Sequence, residues 1–263
     1  MQSEKIIDYI VNWLKHYAQK SGMKGFVIGI SGGIDSAVVS KLAAKTGMKT
    51  LLLEMPIHQK EDQVNRAQDH IQNLTSQFSN VEAFRVDLTP TFDVFHNTVD
   101  VADADFPAEQ LALANSRARL RMLTLYYYGQ IHGLLVTGTG NKVEDFGVGF
   151  FTKYGDGGVD ISPIADLYKT QVYELAKHLD IIESIQKAVP TDGLWEVERT
   201  DEQQIGATYP ELEWAMEQNQ NLKPEDFEGR QREVFAIYQR MHRATLHKIN
   251  PIPVCDIPED LKS

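Results

Sequence analysis

Two acids and one base carry the chemistry that this sequence suggests. Asp35 stands in Ser31-Gly32-Gly33-Ile34-Asp35-Ser36, between an apolar run, Phe26-Val27-Ile28-Gly29-Ile30, and a helical pattern at Val38, Val39, Leu42 and Ala43. Strand, tight turn and helix start, in that order, present unpaired backbone N–H groups at the positive end of a helix dipole, which attracts an anion. Ser31 and Ser36 add hydroxyl donors, and Gly32 and Gly33 leave the backbone open to close approach. A carboxylate beside a bound anion makes sense when a divalent cation neutralises both, so Asp35 reads as a metal ligand. Glu144 follows a second strand and a similar turn, Thr137-Gly138-Thr139-Gly140, and can supply a second carboxylate to magnesium. The bland alternatives are a Gly-rich turn capped by Asp35 and Ser36, and a helix begun by Glu144. Lys169 opens a helical run, where a cation opposes the macrodipole; a ligand anion is one good reason for it. Thr139 and Thr191 can donate to ligand oxygens, and Met55 ends a strand beside the first turn, where adenine can lie on it.

The first turn lacks the lysine of a Walker A loop and the spacing of G-x-G-x-x-G. Ser-Gly-Gly-x-Asp-Ser resembles instead the pyrophosphate loop of the ATP pyrophosphatases, which split ATP into AMP and pyrophosphate to activate an oxygen. Two further stretches carry chemistry. Arg117, Arg119 and Arg121 form a local basic cluster in which Arg117 and Arg121 share a helix face; it suits phosphates, a partner's carboxylates or plain surface ion pairs. Residues 149–160, Gly-Phe-Phe-Thr-Lys-Tyr-Gly-Asp-Gly-Gly-Val-Asp, are too glycine-rich for regular structure and too rich in aromatic and charged side chains for a spacer. Such segments commonly close over substrate.

Composition narrows the class. The chain has 263 residues, 42% hydrophobic, with a formal net charge of −11, so a nucleic-acid partner is disfavoured while a small anion held by local Arg and Lys is not. Cys255 is the single cysteine, which rules out a disulfide framework, a zinc cluster or a cysteine glutaminase at the N-terminus, and fits a reducing cytoplasm. No apolar run reaches transmembrane length, and Met1 to Lys20 reads as an amphipathic helix rather than a signal peptide.

The positioning elements follow from periodicity. Helices are predicted over 3–20, 34–45, 60–77, 108–128, 167–179 and 228–247, with short pieces over 199–205 and 211–216. Strands are predicted over 26–30, 50–56, 81–86 and 133–136, and residues 88–105 read as a connection with short helical turns. Strands alternating with helices predict one doubly wound α/β domain over 1–263, its mostly parallel sheet covered by helices on both faces.

Together these stretches resemble the ammonia-dependent NAD synthetase family. The motifs are Gly29 to Ser36, Ala118-Arg119-Leu120-Arg121-Met122, Gly138-Thr139 with Glu144, Gly149 to Gly158 with Asp160, Lys169, Pro190-Thr191 and His247-Lys248. The spacing from Glu144 to Gly-Phe-Phe is one residue longer than the family's common form. The resemblance implies the adenine nucleotide alpha hydrolase-like fold and a homodimer with sites near the subunit interface. It implies ATP contacts at Gly29, Ile30, Ser31, Gly32, Gly33, Ile34, Asp35, Ser36, Thr139, Lys169 and Thr191, and Mg²⁺ at Asp35 and Glu144. It places deamido-NAD at Arg119, Lys153, Asp160, His247 and Lys248. The implied reaction is amidation of deamido-NAD by ammonia through an adenylated carboxylate, giving NAD, AMP and pyrophosphate. Nicotinate mononucleotide as substrate, tRNA modification, and nucleotide sensing without turnover are the alternatives.

Overall fold

The structure, a computed structural model, describes residues 1–99, 106–190, 200–218 and 221–262. Helix α1 (Ser3–Lys20) leads into β1 (Gly25–Gly29), α2 (Ile34–Lys45), β2 (Lys49–Glu54), α3 (Glu61–Gln77) and β3 (Val81–Arg85). Then come α4 (Thr89–Thr98), α5 (Phe106–His132), β4 (Leu134–Val136) and a π-helical turn, Lys142–Val148. Helices α6 (Lys169–His178), α7 (Glu183–Gln186), α8 (Asp201–Ile205), α9 (Tyr209–Glu217) and α10 (Gly229–Ile249) complete the order.

The four strands form one parallel sheet in the order β3-β2-β1-β4. β1 is the hinge of the topology: the chain runs outward from it to β2 and β3, then returns to place β4 on its other side. Such a reversal opens a crevice at the carboxyl ends of the strands. Because strand side chains alternate, Phe26 and Ile28 of β1 point to one face with Leu52 and Leu135, while Val27 points to the other with Leu51, Leu53, Leu134 and Val136. The first face is covered by α1, α2, α3, α6 and α7, the second by α4 and α5. A third cluster joins the π-turn (Val143, Val148) to α8, α9 and α10 through Ile205, Leu212, Phe235 and Tyr238.

In α1, Ile7, Ile10, Leu14 and Ala18 recur every three or four residues and are buried, leaving Tyr9, Trp13 and Tyr17 exposed. Besides α7 and the π-helical turn, which periodicity does not indicate, two longer elements differ from that reading. Residues 89–98 form a ten-residue helix begun by Thr89-Pro90 rather than isolated turns. Helix α5 is 27 residues long and apolar on two sides; Leu113, Ala114 and Ala118 are buried while Leu111, Leu123, Tyr127 and Ile131 stay exposed.

Candidate active site

The carboxyl ends of β1, β2 and β4 open onto a cavity of about 310 Å³. Its walls are residues 29–35, Glu54 to Pro56, Ala118, Arg121 and Met122 of α5, Thr137 to Thr139, Glu144, Asp156, Lys169 and Asp201. The Ser-Gly-Gly turn is knitted by its own hydroxyls: Gly33 N–H donates to Ser31 Oγ at 3.2 Å, and Ser36 Oγ donates to Gly33 O at 3.0 Å. Ser36 is buried and does not line the cavity, so it shapes the turn instead of facing the space. Gly32 has φ +80°, and a Cβ there would stand 2.6 Å from Gln63 O, so only glycine lets the turn pass so close to α3.

At the back of the cavity two carboxylates converge on one ammonium. Lys169 Nζ, on a side chain only 4% exposed, lies 2.6 Å from Asp35 Oδ2 and 2.8 Å from Glu144 Oε1. Lys169 is the first residue of α6, against the helix dipole, as its position in the sequence suggests. Two of the anions that hold it are the chain's own acids, Asp35 and Glu144. Asn141 Nδ2 donates to Asp35 Oδ1 at 3.2 Å, and Asn141 Oδ1 accepts from Val143 and Glu144 N–H at 3.1 Å, capping the π-turn and fixing its acid beside Asp35. The Tyr209 hydroxyl, from α9, lies 2.7 Å from Glu144 Oε1 and 3.2 Å from Asp201 Oδ2, and its ring lies 5.1 Å from Lys169 Nζ. Burial pushes the Glu144 carboxyl up, but the Lys169 charge and the hydrogen bonds from Lys169 and Tyr209 bring it below its usual range. Burial alone would lower the Lys169 ammonium; Asp35 and Glu144 reverse that and keep it protonated. Burial, joined by the neighbouring charge of Glu144, leaves Tyr209 a neutral donor.

The acid excess extends further. Burial, then the carboxylates of Asp156, Glu144 and Asp35, pushes Asp145 well up. Asp145 fills the space over Gly140, where a Cβ would collide with its carboxylate. Asp156 is likewise raised by burial, although its Oδ1 accepts Thr152 N–H at 2.9 Å. At the opposite end, Arg121 donates from Nε to Met55 O at 3.0 Å and from Nη2 to Gln59 Oε1 at 2.9 Å. Burial, reinforced by Arg117, brings that guanidinium down to about 10.

The structure thus gathers Gly29 to Asp35, Met55, Thr139, Glu144 and Lys169 around one space. It does not gather Arg119, Lys153, Asp160, His247 and Lys248 there, since none of them lines the cavity. These five hold the 149–160 segment in place. Lys248 Nζ donates to Gly149 O (2.8 Å) and Phe151 O (2.7 Å), and Lys153 Nζ donates to His247 O (2.5 Å). Arg119 Nε donates to Lys153 O (3.3 Å), while Asp160 accepts from Val136 N–H and the Tyr126 hydroxyl. The segment expected to close over substrate is packed down, with Thr152 buried and bonded to Asn115 and Phe150, Gly155 and Val159 reaching the cavity. Thr191 lies outside the described residues. Sequence reasoning gives no role to Asn141, Tyr209 or Gln59 and includes Asp156 only within the Gly149 to Gly158 motif; among the first three, only Asn141, an amide just before a helical turn, carries a local signal for its role.

The NAD synthase family profile matches residues 6–251. The chain belongs to the NAD synthase family. Its relatives include an NH(3)-dependent NAD(+) synthetase of Pyrobaculum aerophilum, 38% identical over 97% of this chain and 93% of that one. An NMN synthetase structure from Francisella tularensis superposes with TM-score 0.85 at 31% identity, covering 98% of this chain and 100% of the other. An NH3-dependent NAD synthetase from Campylobacter jejuni superposes with TM-score 0.76 at 26% identity, covering 97% and 100%. NAD synthase membership agrees with the parallel sheet and its site at the strand ends, and bears out the resemblance drawn from the motifs.

Proposed function

We propose that the chain is an amide-forming ligase that converts deamido-NAD, ATP and ammonia into NAD, AMP and pyrophosphate. The observation that carries this reading is the convergence of Asp35, Lys169 and Glu144 behind an anion-binding turn, inside a cavity lined by Met55 and Arg121. The relatives named NH(3)-dependent NAD(+) synthetase support it.

The Ser31 to Asp35 turn holds the phosphates through its N–H groups, with Met55 against the adenine. A nicotinate carboxylate oxygen attacks the α-phosphorus, and pyrophosphate leaves. Lys169 and the turn stabilise the charge gathering on the leaving oxygens. Ammonia then attacks the adenylated carbonyl carbon, AMP departs, and the nitrogen loses a proton. The packed 149–160 segment keeps water from the mixed anhydride. The donor set fits Mg²⁺: two hard carboxylates, Asp35 and Glu144, lie close enough to share one cation, with nucleotide phosphates left to complete the shell. Held by Asp35 and Glu144, such an ion would neutralise phosphate charge.

Ammonia comes from solution or from a separate glutaminase, because Cys255, exposed in the C-terminal tail, is the chain's only thiol. The exposed apolar side of α5, with Leu123, Tyr127 and Ile131, supports a homodimer, as does the position of Arg119, Lys153, Asp160, His247 and Lys248 outside the cavity, where a second subunit can complete their site. Among the described residues no helix is long and apolar enough to cross a membrane. We place the enzyme in the cytoplasm and give it no nucleic-acid partner, in keeping with its net charge of −11.

The likeness to the Francisella NMN synthetase favours a second reading in which the same chemistry acts on nicotinate mononucleotide. Rates of AMP formation with each substrate, with ammonium and with glutamine, decide between them. AMP and amide formed with deamido-NAD and ammonium are expected. Faster turnover of the mononucleotide selects the second reading, and no AMP with either substrate refutes both.

A further inference from the structure

We infer that the Lys169 ammonium is a resident placeholder for the divalent cation: it occupies the Asp35–Glu144 pair while the cavity holds no nucleotide, so metal enters only together with ATP. This inference rests on the ligase reading above. Three observations support it. Nζ bridges both carboxylates, at 2.6 and 2.8 Å, so a metal approaching those oxygens meets a positive charge already bonded to both. The remaining surroundings hold that arrangement in place, with Asn141 donating to Asp35 and Tyr209 to Glu144. And Lys169 starts α6 against the helix dipole, so it stays buried only while anions face it.

The nucleotide supplies the exchange. Phosphates on the 31–36 turn give the ammonium a new anionic partner beside the old one. The freed carboxylate oxygens are then open to the cation that those phosphates carry. Without a polyphosphate, release of Lys169 would leave a buried ammonium unpaired, which is strongly unfavourable. The pair is therefore neither open nor uncompensated at any stage, and free divalent cations at cellular concentration do not lock the site ahead of the substrate.

Mn²⁺ reports on this without turnover. Crystals of the wild-type protein are soaked in Mn²⁺ alone, or in Mn²⁺ with a non-hydrolysable ATP analogue, and anomalous maps are calculated. An anomalous peak between Asp35 and Glu144 is expected only with the nucleotide. In solution, Mn²⁺ titration followed by electron paramagnetic resonance is expected to show at least tenfold tighter nucleotide-free binding by Lys169→Met than by wild type. The double variant Lys169→Met/Glu144→Gln is expected to lose that gain. A peak with Mn²⁺ alone overturns the placeholder role and leaves the ligase reading standing. No peak in either soak removes the metal from this pair and the inference with it. Should Lys169→Met fail to fold, the wild-type soaks decide alone.

Discussion

The packing of α2, which begins at the Ser31–Gly33 turn, makes the protein's stability depend on pH through one buried histidine. His70 of α3 is 1% exposed, and its Nε2 lies 2.8 Å from Ser40 Oγ of α2. Ser40 Oγ already donates to Ala37 O at 3.0 Å, so it accepts from His70 Nε2–H, which leaves Nδ1 buried without a hydrogen-bond partner. Protonation would put a second N–H where no acceptor stands. Burial, then the Lys41 charge, brings the ring from 6.5 down to about 4. The folded state therefore binds fewer protons than the unfolded chain below pH 6.5. Stability is full above that pH, falls as pH drops toward the folded value, and levels out beneath it. The linkage relation gives a loss of about 2 kcal/mol between pH 8 and pH 5, rising to roughly 3 kcal/mol well below pH 4. Set against typical stabilities of about 5–15 kcal/mol, that is a large share. Urea unfolding of wild type and His70→Leu at pH 8, 6.5 and 5 isolates the effect, because other titrating groups cancel in the difference. The variant is expected to lose about 2 kcal/mol less than wild type on acidification. Parallel curves for the two proteins would refute the assignment.

Three other perturbations act at the site. Glu144→Gln keeps the shape beside Tyr209 and removes the charge, so AMP formation is expected to fall by roughly 10²–10³ with circular dichroism unchanged; activity within tenfold of wild type counts against the carboxylate. Gly32→Ala forces a side chain onto positive φ against Gln63 O and is expected to cost about 1–3 kcal/mol, read as a lower Tm, together with weaker ATP binding by calorimetry. Lys248→Met removes the donor to Gly149 and Phe151 O; proteolysis within 149–160 is expected to speed up and the KM for the nicotinate substrate to rise at least tenfold, whereas an unchanged cleavage pattern would show that the segment holds itself.

What the sequence makes legible here is local. The order of strand, turn and helix around residues 26–45 is written in consecutive residues, and so is the turn's affinity for anions. The pairing of Asp35 with Glu144 is legible only because both follow similar turns at strand ends. Lys169 is the instructive intermediate case. Its place at a helix start demands an anion, but local sequence does not say whose, since Asp35 lies 134 positions away along the chain. Tyr209 and Gln59 carry no local pattern at all; tertiary packing alone brings them in. Helix α4 was hidden by its mixed composition, although Thr89-Pro90 is a usable start signal. The π-helical winding of Lys142–Val148 likewise has no signal in residue periodicity, which separates strands from α-helices but not one kind of helical turn from another.

Tyr209 ties the last third of the chain to Glu144 in its middle. With one oxygen near Glu144 and Asp201 alike, the helices beyond residue 200 fix the orientation of the Glu144 carboxylate at the cavity wall. Loosening α9 would not merely soften a remote bundle. It would let solvent replace a phenol at the carboxylate, trading a preset dipole for a mobile one, and turnover would drop before any unfolding became visible.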